Sequence, residues 1–198
     1  MPIVPDTLTP ERRYFLMVSC IIPRPIAWVG TVNEDGSHNL APYSFFNGVS
    51  ATPPLVMLGI GPSPDKKEKD SLRNIKRTGE LTVSIPRFEQ AEQVEATAED
   101  LPYGEDEFVR CGLTPAIGEV VPAPYVAEAG VAFECTVERI WPIPRGGSTL
   151  VLAEVRLFHL ADEYADARQC LNPDAFEPLA RLGGGRYASV GKAFKVGR

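Results

Sequence analysis

Lys69, Asp70 and Ser71 are the residues whose types and spacing most clearly suggest chemistry. They stand at the beginning of a predicted helix that Asp70 or Ser71 caps and that ends at Gly79. The first N–H groups of a helix have no partner within it, and the positive end of the helix dipole lies at the same place. A lysine and a hydroxyl beside such a helix start predict a site for one small phosphate. The alternative for these residues alone is an ordinary capped helix with a solvated lysine.

Three short strands precede this helix start and must position it. The first lies within Ile21–Val32, and Asn33–Gly36 forms a hairpin turn in which glycine supplies the positive φ. A returning strand runs from about Ser37 to Tyr43. A loop from Asn47 to Pro54 is predicted before the apolar third strand, Leu55–Ile60. These strands predict a barrel wall with the phosphate site beside it.

The rest of the chain adds strands and a few helices to this wall. Alternating or β-branched runs at Leu81–Ile85, Val131–Ile140 and Thr149–His159 predict further strands. Helices are predicted near Thr9–Met17, Arg87–Ala96 and Phe108–Cys111, and Pro115–Gly130 is predicted to be irregular. About six strands with peripheral helices indicate a mostly antiparallel barrel. No linker or repeat divides residues 1–198, so we expect one domain.

Composition limits the classes of function. The 198 residues carry a net charge of −6, which argues against nucleic acid as a partner. A local basic patch of Lys66, Lys67 and Lys69 remains compatible with a small phosphate ligand. The four cysteines and two histidines show no metal-type spacing, so no metal site is predicted. No signal peptide and no apolar run of roughly 20 residues is visible, which predicts a cytoplasmic protein without a membrane partner.

Several of these motifs, in this order, resemble the flavin reductase-like family. The motifs that carry the resemblance are Arg24–Val29, Asn39–Asn47, the Pro53-Pro54 pair, and Lys69-Asp70-Ser71 with Asn74. The family has an FMN-binding split-barrel fold and includes the flavoredoxins. The resemblance therefore implies a six-stranded antiparallel Greek-key barrel with peripheral helices. It also implies a homodimer with FMN as cofactor near the subunit interface.

The resemblance assigns site residues by position. Lys69, Asp70 and Ser71 match the phosphate-binding helix start, with serine where the family often has threonine. Ser44, Phe45, Phe46 and Asn47 match the loop that lines the flavin, partly through backbone groups. Three further residues match positions at or near the cofactor pocket: Arg24, Trp28 and His159.

Alternative roles stay open for several of these side chains. Trp28 and the phenylalanines are equally compatible with the core. Phe45 and Phe46 point to opposite faces of an extended segment, so at most one should meet a flavin ring. If His159 does not lie near the flavin, it is simply the last residue of a strand. In the glycine-rich tail, Arg181 and Tyr187 either reach a partner subunit's site or form a plain surface.

The sequence supports two classes of function. The first is an FMN-dependent flavin reductase that uses NADH or NADPH, and the second is an FMN electron carrier that serves protein partners. A barrel binding some other ligand is disfavoured, because the phosphate and loop motifs occur together. The reductase reading requires no side-chain nucleophile, since the cofactor carries the redox chemistry, and no catalytic residue is assigned.

Overall fold

The computed structural model describes residues 1–63, 68–191, 193–194 and 196–197. Two lysines of the predicted basic patch, Lys66 and Lys67, lie outside the described residues, as does part of the loop that follows Ile60. The helices are α1 (Pro10–Cys20), α2 (Asp70–Thr78), α3 (Ala91–Ala96), α4 (Glu107–Cys111) and α5 (Pro173–Phe176). The strands are β1 (Arg24–Pro25), β2 (Ala27–Val32), β3 (His38–Tyr43), β4 (Phe46–Ala51), β5 (Pro54–Ile60), β6 (Glu80–Ser84), β7 (Pro115–Ile117), β8 (Pro124–Val126), β9 (Val131–Pro142), β10 (Thr149–Leu160), β11 (Leu179–Arg181) and β12 (Tyr187–Ser189).

The main sheet is antiparallel, with its strands in the order β3-β2-β6-β9-β10-β5-β4. This arrangement confirms the predicted antiparallel β-structure with peripheral helices, but the sheet has seven strands rather than six. The additional strand is β4, in a segment that the sequence predicted as partly loop. Asn47 and Gly48 have low strand propensity. The edge of β5 nevertheless supplies a complete partner, with Phe46 opposite Leu58 and a bulge after Gly48.

Two apolar clusters stabilise the sheet, one on each side of β2. Successive side chains of a strand point to opposite faces. Val29 therefore joins a large cluster with Leu58, Leu81 and Val151, whereas Trp28 joins a smaller one. The helix α2 lies against the larger cluster through Leu72 and Ile75. This packing fixes the start of α2 relative to β2 and β3.

A close approach between β2 and β8 requires glycine at position 30. A Cβ built on Gly30 would overlap the carbonyl oxygen of Pro124 and lie 2.6 Å from Oγ1 of Thr82. Strand β8 is also held by a 3.0 Å bond from the backbone N–H of Val126 to Ser84 Oγ. The hairpin β7–β8 therefore lies directly on the sheet, and the prediction that Pro115–Gly130 lacks regular elements was wrong.

Two smaller features complete the fold. The tail forms a separate sheet in which β11 pairs with both β1 and β12, so Arg24 and Arg181 are direct cross-strand neighbours. The helix α2 ends at Gly79 in the left-handed conformation, as predicted, but its N-cap is Lys69 rather than Asp70 or Ser71. Within the described part of the chain, no helix is long and apolar enough to cross a membrane.

Candidate functional site

Two adjoining hollows lie along one side of β3. The larger, about 750 Å³, is bounded by the start of α2 and the segment 97–103. The smaller, about 310 Å³, is bounded by α1, β1 and the glycine-rich tail. Both are lined by Pro42, Tyr43 and Ala98, so the two hollows form one groove. Their volumes fall within the range of small-molecule sites, about 300–1,000 Å³.

The start of α2 forms one wall of the larger hollow through Lys69, Asp70 and Ser71. Lys69 is the N-cap, and its side chain makes no cap bond because an ammonium group cannot accept from a backbone N–H. The ammonium group instead pairs with Asp100. The N–H groups of the first helical turn have no acceptor within the helix. The ammonium group of Lys69 and the backbone donors of the first turn of α2 therefore lie together at one end of the groove.

A buried polar network holds Ser71 in place beneath this wall. Nδ2 of Asn39 donates to Ser71 Oγ at 2.9 Å and to Thr31 Oγ1 at 3.1 Å. Asn74 donates to the same threonine at 3.0 Å and to Asn33 Oδ1 at 2.7 Å. Every member of this network is buried and hydrogen-bonded. Asn39 and Asn74 thus connect β3, β2 and α2, which explains the rigid placement of the helix start.

Carboxylates give the larger hollow an acidic lining. Burial raises the pKa of Asp70, although Arg73 and Lys69 oppose the shift. Burial also raises the pKa of Glu107 to about 7, and the negative charges of Asp106 and Asp70 add to it. Glu107 accepts a 2.8 Å bond from the backbone N–H of Leu40. An anion entering this hollow therefore meets attraction at Lys69 and repulsion from its neighbours.

Arg24 is buried behind the smaller hollow and ties three segments together. Its guanidinium donates to the carbonyls of Val18 and Ile21 at the end of α1, to the carbonyl of Leu182, and to Oγ of Ser44. Burial lowers the pKa of Arg24, and the charge of Arg181 contributes in the same direction. Arg24 thus fixes the position of Ser44, where β3 ends and the Ser44–Asn47 segment begins.

Arg181 and Tyr187 form the outer wall of the same hollow with Glu95 of α3. Arg181 Nη1 pairs with Glu95 Oε2 at 2.7 Å, and its guanidinium lies 4.2 Å from the centre of the Tyr187 ring. The Tyr187 hydroxyl donates to the same carboxylate. Burial and the bond to Glu95 raise the pKa of Tyr187, so it stays protonated. The tail residues therefore line the groove within a single chain.

Comparison with known proteins identifies the fold and the family. The family model described as "Flavin reductase like domain" matches residues 18–180. The chain belongs to this family. The match covers all the residues that line the larger hollow, whereas parts of the smaller hollow's lining, in α1 and in the tail after residue 180, lie outside it.

Solved structures of similar proteins agree with this assignment. Nitrilotriacetate monooxygenase component B from Bacillus cereus is 34% identical, with a TM-score of 0.93 over 99% of this chain and 98% of that chain. The 2-nitrobenzoate 2-nitroreductase NbaA of Pseudomonas fluorescens is 26% identical, with a TM-score of 0.90 over 100% and 96% of the two chains. A split-barrel-domain protein assigned as a flavin reductase, from Shewanella frigidimarina NCIMB 400, has a TM-score of 0.86 over 98% and 96% of the chains at 22% identity and shows the fold. The split barrel of the flavin reductase-like family is therefore the fold of this chain.

Five of the residues assigned from the sequence line the groove of this flavin reductase-like protein. Lys69, Asp70 and Ser71 line the larger hollow, and Arg24 and Ser44 line the smaller one. Arg24 presents little surface, since it is 4% exposed. Its visible role is to hold Ser44 and the end of α1.

Four other predicted residues do not line either hollow. Trp28 is 0% exposed and donates its indole N–H to Thr97 Oγ1 at 2.8 Å, so it belongs to the core and presents no surface to a ligand. Phe46 is also a core residue, whereas Phe45 lies beside Gly59 and is 40% exposed. The opposite orientations of the two phenylalanines agree with the prediction. Asn47 is exposed on β4, and its Oδ1 accepts from the N–H of Gly48.

His159 lies in a separate cluster within the chain. Its Nε2 is 2.6 Å from Oε1 of Glu134, and its ring stacks on Tyr125 at 4.4 Å. Glu134 is fully buried and accepts backbone N–H bonds from residues 119, 120 and 121 at 2.7–2.9 Å. Burial alone would raise the pKa of Glu134, but these bonds and the one to His159 lower it. The cluster holds the β7–β8 connection on the barrel.

Apart from Asp70, sequence reasoning missed the carboxylates of the groove, and it assigned no site role to Tyr43. The alternation along β3 places Asn39, Ala41 and Tyr43 on one face, and this signal was available in the sequence. Asp100 lies in an irregular acidic segment, and Glu107 begins α4 directly after it. Nothing in the local pattern predicts the path of that segment. Among the described residues, no group of three histidine, cysteine or acidic side chains is arranged to hold a metal ion.

Proposed function

We propose that this protein binds FMN in the groove and acts as a flavin reductase that accepts hydride from NADH or NADPH. The observation that carries the proposal is the start of α2, where Lys69 and Ser71 lie at one end of a 750 Å³ hollow in a chain of this family. When bound, FMN supplies the redox chemistry by taking up a hydride from nicotinamide and passing electrons on.

The residues of the larger hollow fit the phosphate of FMN. Backbone donors of the first turn of α2 and the ammonium group of Lys69 suit a dianion. Ser71 accepts from Asn39 and keeps its own hydroxyl proton for donation. Lys69 pairs with Asp100, so this proposal requires Lys69 to exchange Asp100 for the phosphate.

The segment at the junction of the hollows suits the flavin ring. Arg24 fixes Ser44, so the backbone groups that follow Tyr43 are preorganised for the polar edge of a ring. Burial raises the pKa of Tyr43 to about 12, so its hydroxyl stays neutral at physiological pH. The chain therefore contributes binding, orientation and neutral donors, and we assign no proton transfer to His159.

We also propose a homodimer with α1 in the interface. This helix has eleven residues, and only Val18 is buried. Apolar side chains follow its exposed surface and its end: Tyr14, Phe15, Met17, Ile21 and Ile22. Exposed apolar surfaces of this kind are typical of protein interfaces, and the partner we propose for this one is a second copy of the chain.

The test of the proposed function is a visible spectrum followed by anaerobic mixing. Protein that has been loaded with FMN should show the bands of oxidised flavin, and NADH or NADPH should bleach them. Folded protein that takes up no flavin would contradict the whole proposal. Flavin uptake without bleaching by either nucleotide would replace the reductase with an electron carrier that serves protein partners.

A further inference from the structure

We propose that the smaller hollow is a binding site for a small aromatic carboxylate, independent of the FMN phosphate site. The hollow combines a buried cation, a second cation directly beside it, and aromatic walls. The proposal goes beyond FMN binding and rests on the charges of this hollow alone.

The first observation is that the charge of Arg24 has no carboxylate partner among the described residues. Arg24 is 4% exposed, yet its four hydrogen bonds go to three carbonyls and one hydroxyl. Guanidinium has five N–H donors, so one of them has no acceptor in the described part of the chain. A buried charge is costly when it is not paired with an opposite charge. An anion in the hollow would reduce that cost.

The second observation is the position of Arg181. It lies directly opposite Arg24 across the β1–β11 pair, and like charges at such positions are destabilising. Glu95 neutralises the positive charge of one of the two arginines through its 2.7 Å ion pair with Arg181. Since both arginines line the hollow, one positive charge there remains in excess.

The walls and the size of the hollow define the rest of the ligand. Four aromatic rings line it, those of Tyr14, Phe15, Tyr43 and Tyr187, together with apolar Ile26 and Val94. The volume of about 310 Å³ is at the low end for small-molecule sites and suits one substituted ring. A flat aromatic body with one carboxylate matches both the apolar walls and the single excess charge.

Benzoate is the probe for this site, and benzamide is its neutral isostere. Calorimetric titration of the flavin-free and the FMN-loaded protein should give benzoate binding in both forms. We expect benzamide to bind about tenfold more weakly, because it lacks the negative charge for one charge-assisted hydrogen bond. Equal binding of the two compounds, or no binding of benzoate, would overturn the proposal.

Two substitutions change the charge of the hollow in opposite directions. Arg181→Gln should weaken benzoate binding at least fivefold, whereas Glu95→Gln should strengthen it by releasing Arg181. Arg156→Gln is the control, because Arg156 is an exposed arginine of β10 outside the hollow. If all three variants bind benzoate like the unmodified protein, the site is not in this hollow.

A competition experiment separates this site from the flavin site. The proposal requires FMN and benzoate to bind at the same time, with FMN affinity unchanged by Arg181→Gln. Displacement of benzoate by FMN in a one-to-one manner would show that the hollow belongs to the flavin and would overturn the proposal. Failure of FMN to bind, with benzoate still bound, would contradict only the proposed function.

Discussion

Lys69 at the start of α2 forms an ion pair with Asp100 across the larger hollow. Lys69, the lysine that lines this hollow in the described part of the chain, is therefore engaged by a carboxylate of the chain itself. Both side chains are partly exposed, at 29% and 49%, so their pairing is worth little, about 0–1 kcal/mol. Under the proposed function an incoming phosphate must displace Asp100, and we expect the strength of this pair to set part of the affinity for FMN.

Asp100→Asn should therefore tighten FMN binding. We expect an increase of about threefold to fivefold, because Lys69 no longer exchanges partners, and no change for riboflavin, which lacks the phosphate. Fluorescence titration of both flavins measures the difference. Glu99→Gln is the matched control, because it removes an equal charge from the same lining but pairs with Arg110. An equal gain in both variants would indicate a general charge effect.

Lys69→Ala tests the phosphate position directly. The preference for FMN over riboflavin should fall by about 1.5–3 kcal/mol, which is the range for a hydrogen bond to a charged group. The same titrations of both flavins provide the measurement. A preference that survives unchanged in this variant would locate the phosphate elsewhere.

Glu134→Gln should cost stability in a pH-dependent manner. The pKa of Glu134 is lowered in the folded protein, so its charge stabilises the fold above the unfolded value of 4.5. This contribution to the free energy of unfolding is lost as pH falls through the lower pKa that Glu134 has in the folded protein. We expect a cost of about 2–3 kcal/mol at pH 7 and a smaller cost near pH 3, measured by urea unfolding.

The matched control for Glu134 is Glu138→Gln, on an exposed position of the same strand. It should change the free energy of unfolding by less than about 0.5 kcal/mol at either pH. An identical cost for Glu134→Gln at both pH values would show that shape, and not charge, is what the three N–H groups require.

Glu107→Gln should show the opposite pH dependence. The folded pKa of Glu107 is raised from 4.5 to about 7, so the folded protein favours the protonated form. Below the unfolded-state pKa of 4.5, the carboxyl is protonated in both states and does not lower the free energy of unfolding. It becomes destabilising as pH rises from that value through the folded-state pKa of about 7, because the unfolded chain then gives up the proton more readily. Unfolding of the flavin-free variant should therefore show its largest gain over the unmodified protein at pH 8, at most about 3 kcal/mol. A gain that is larger at pH 5 would refute this assignment.

Met17→Asp tests the role of α1 in the proposed dimer. A charge on the apolar surface of this helix should raise the dimer dissociation constant at least tenfold, because it would be buried without a partner. Sedimentation equilibrium measures the change. Val109→Asp serves as control, since Val109 is an exposed apolar residue of a different helix. A stable monomer of the unmodified protein at micromolar concentration would remove the dimer altogether.

The sequence predicted elements whose pattern is local. Strands β9 and β10 alternate clearly, and α2 ends at a glycine as expected. Strand β4 was missed because its stability comes from pairing with β5, which no local propensity reports. The family resemblance assigned the start of α2 and Arg24 to the cofactor site, and these residues line the groove, while their contact with a cofactor stays a prediction.

Contacts between distant segments explain where the structure departs from the site expected from the sequence. The indole of Trp28 is buried and donates a hydrogen bond to Thr97, 69 residues away. His159 is held by Glu134, 25 residues away. Asp100 approaches Lys69 from an irregular segment without any periodic signal. In each case the type of residue was compatible with a ligand, and only the tertiary neighbours decide its surroundings.

Because the backbone is closely packed around Gly30, one added methyl group should disturb two separate parts of the structure. Alanine at this position would push against the carbonyl oxygen of Pro124 and move β8 outward. The connection between β7 and β8 carries the three N–H groups that bind Glu134, so its displacement would also strip that carboxylate of its donors. In a mutational scan, position 30 should therefore tolerate no other residue, and revertants should appear at Pro124 and its neighbours rather than around Gly30 itself.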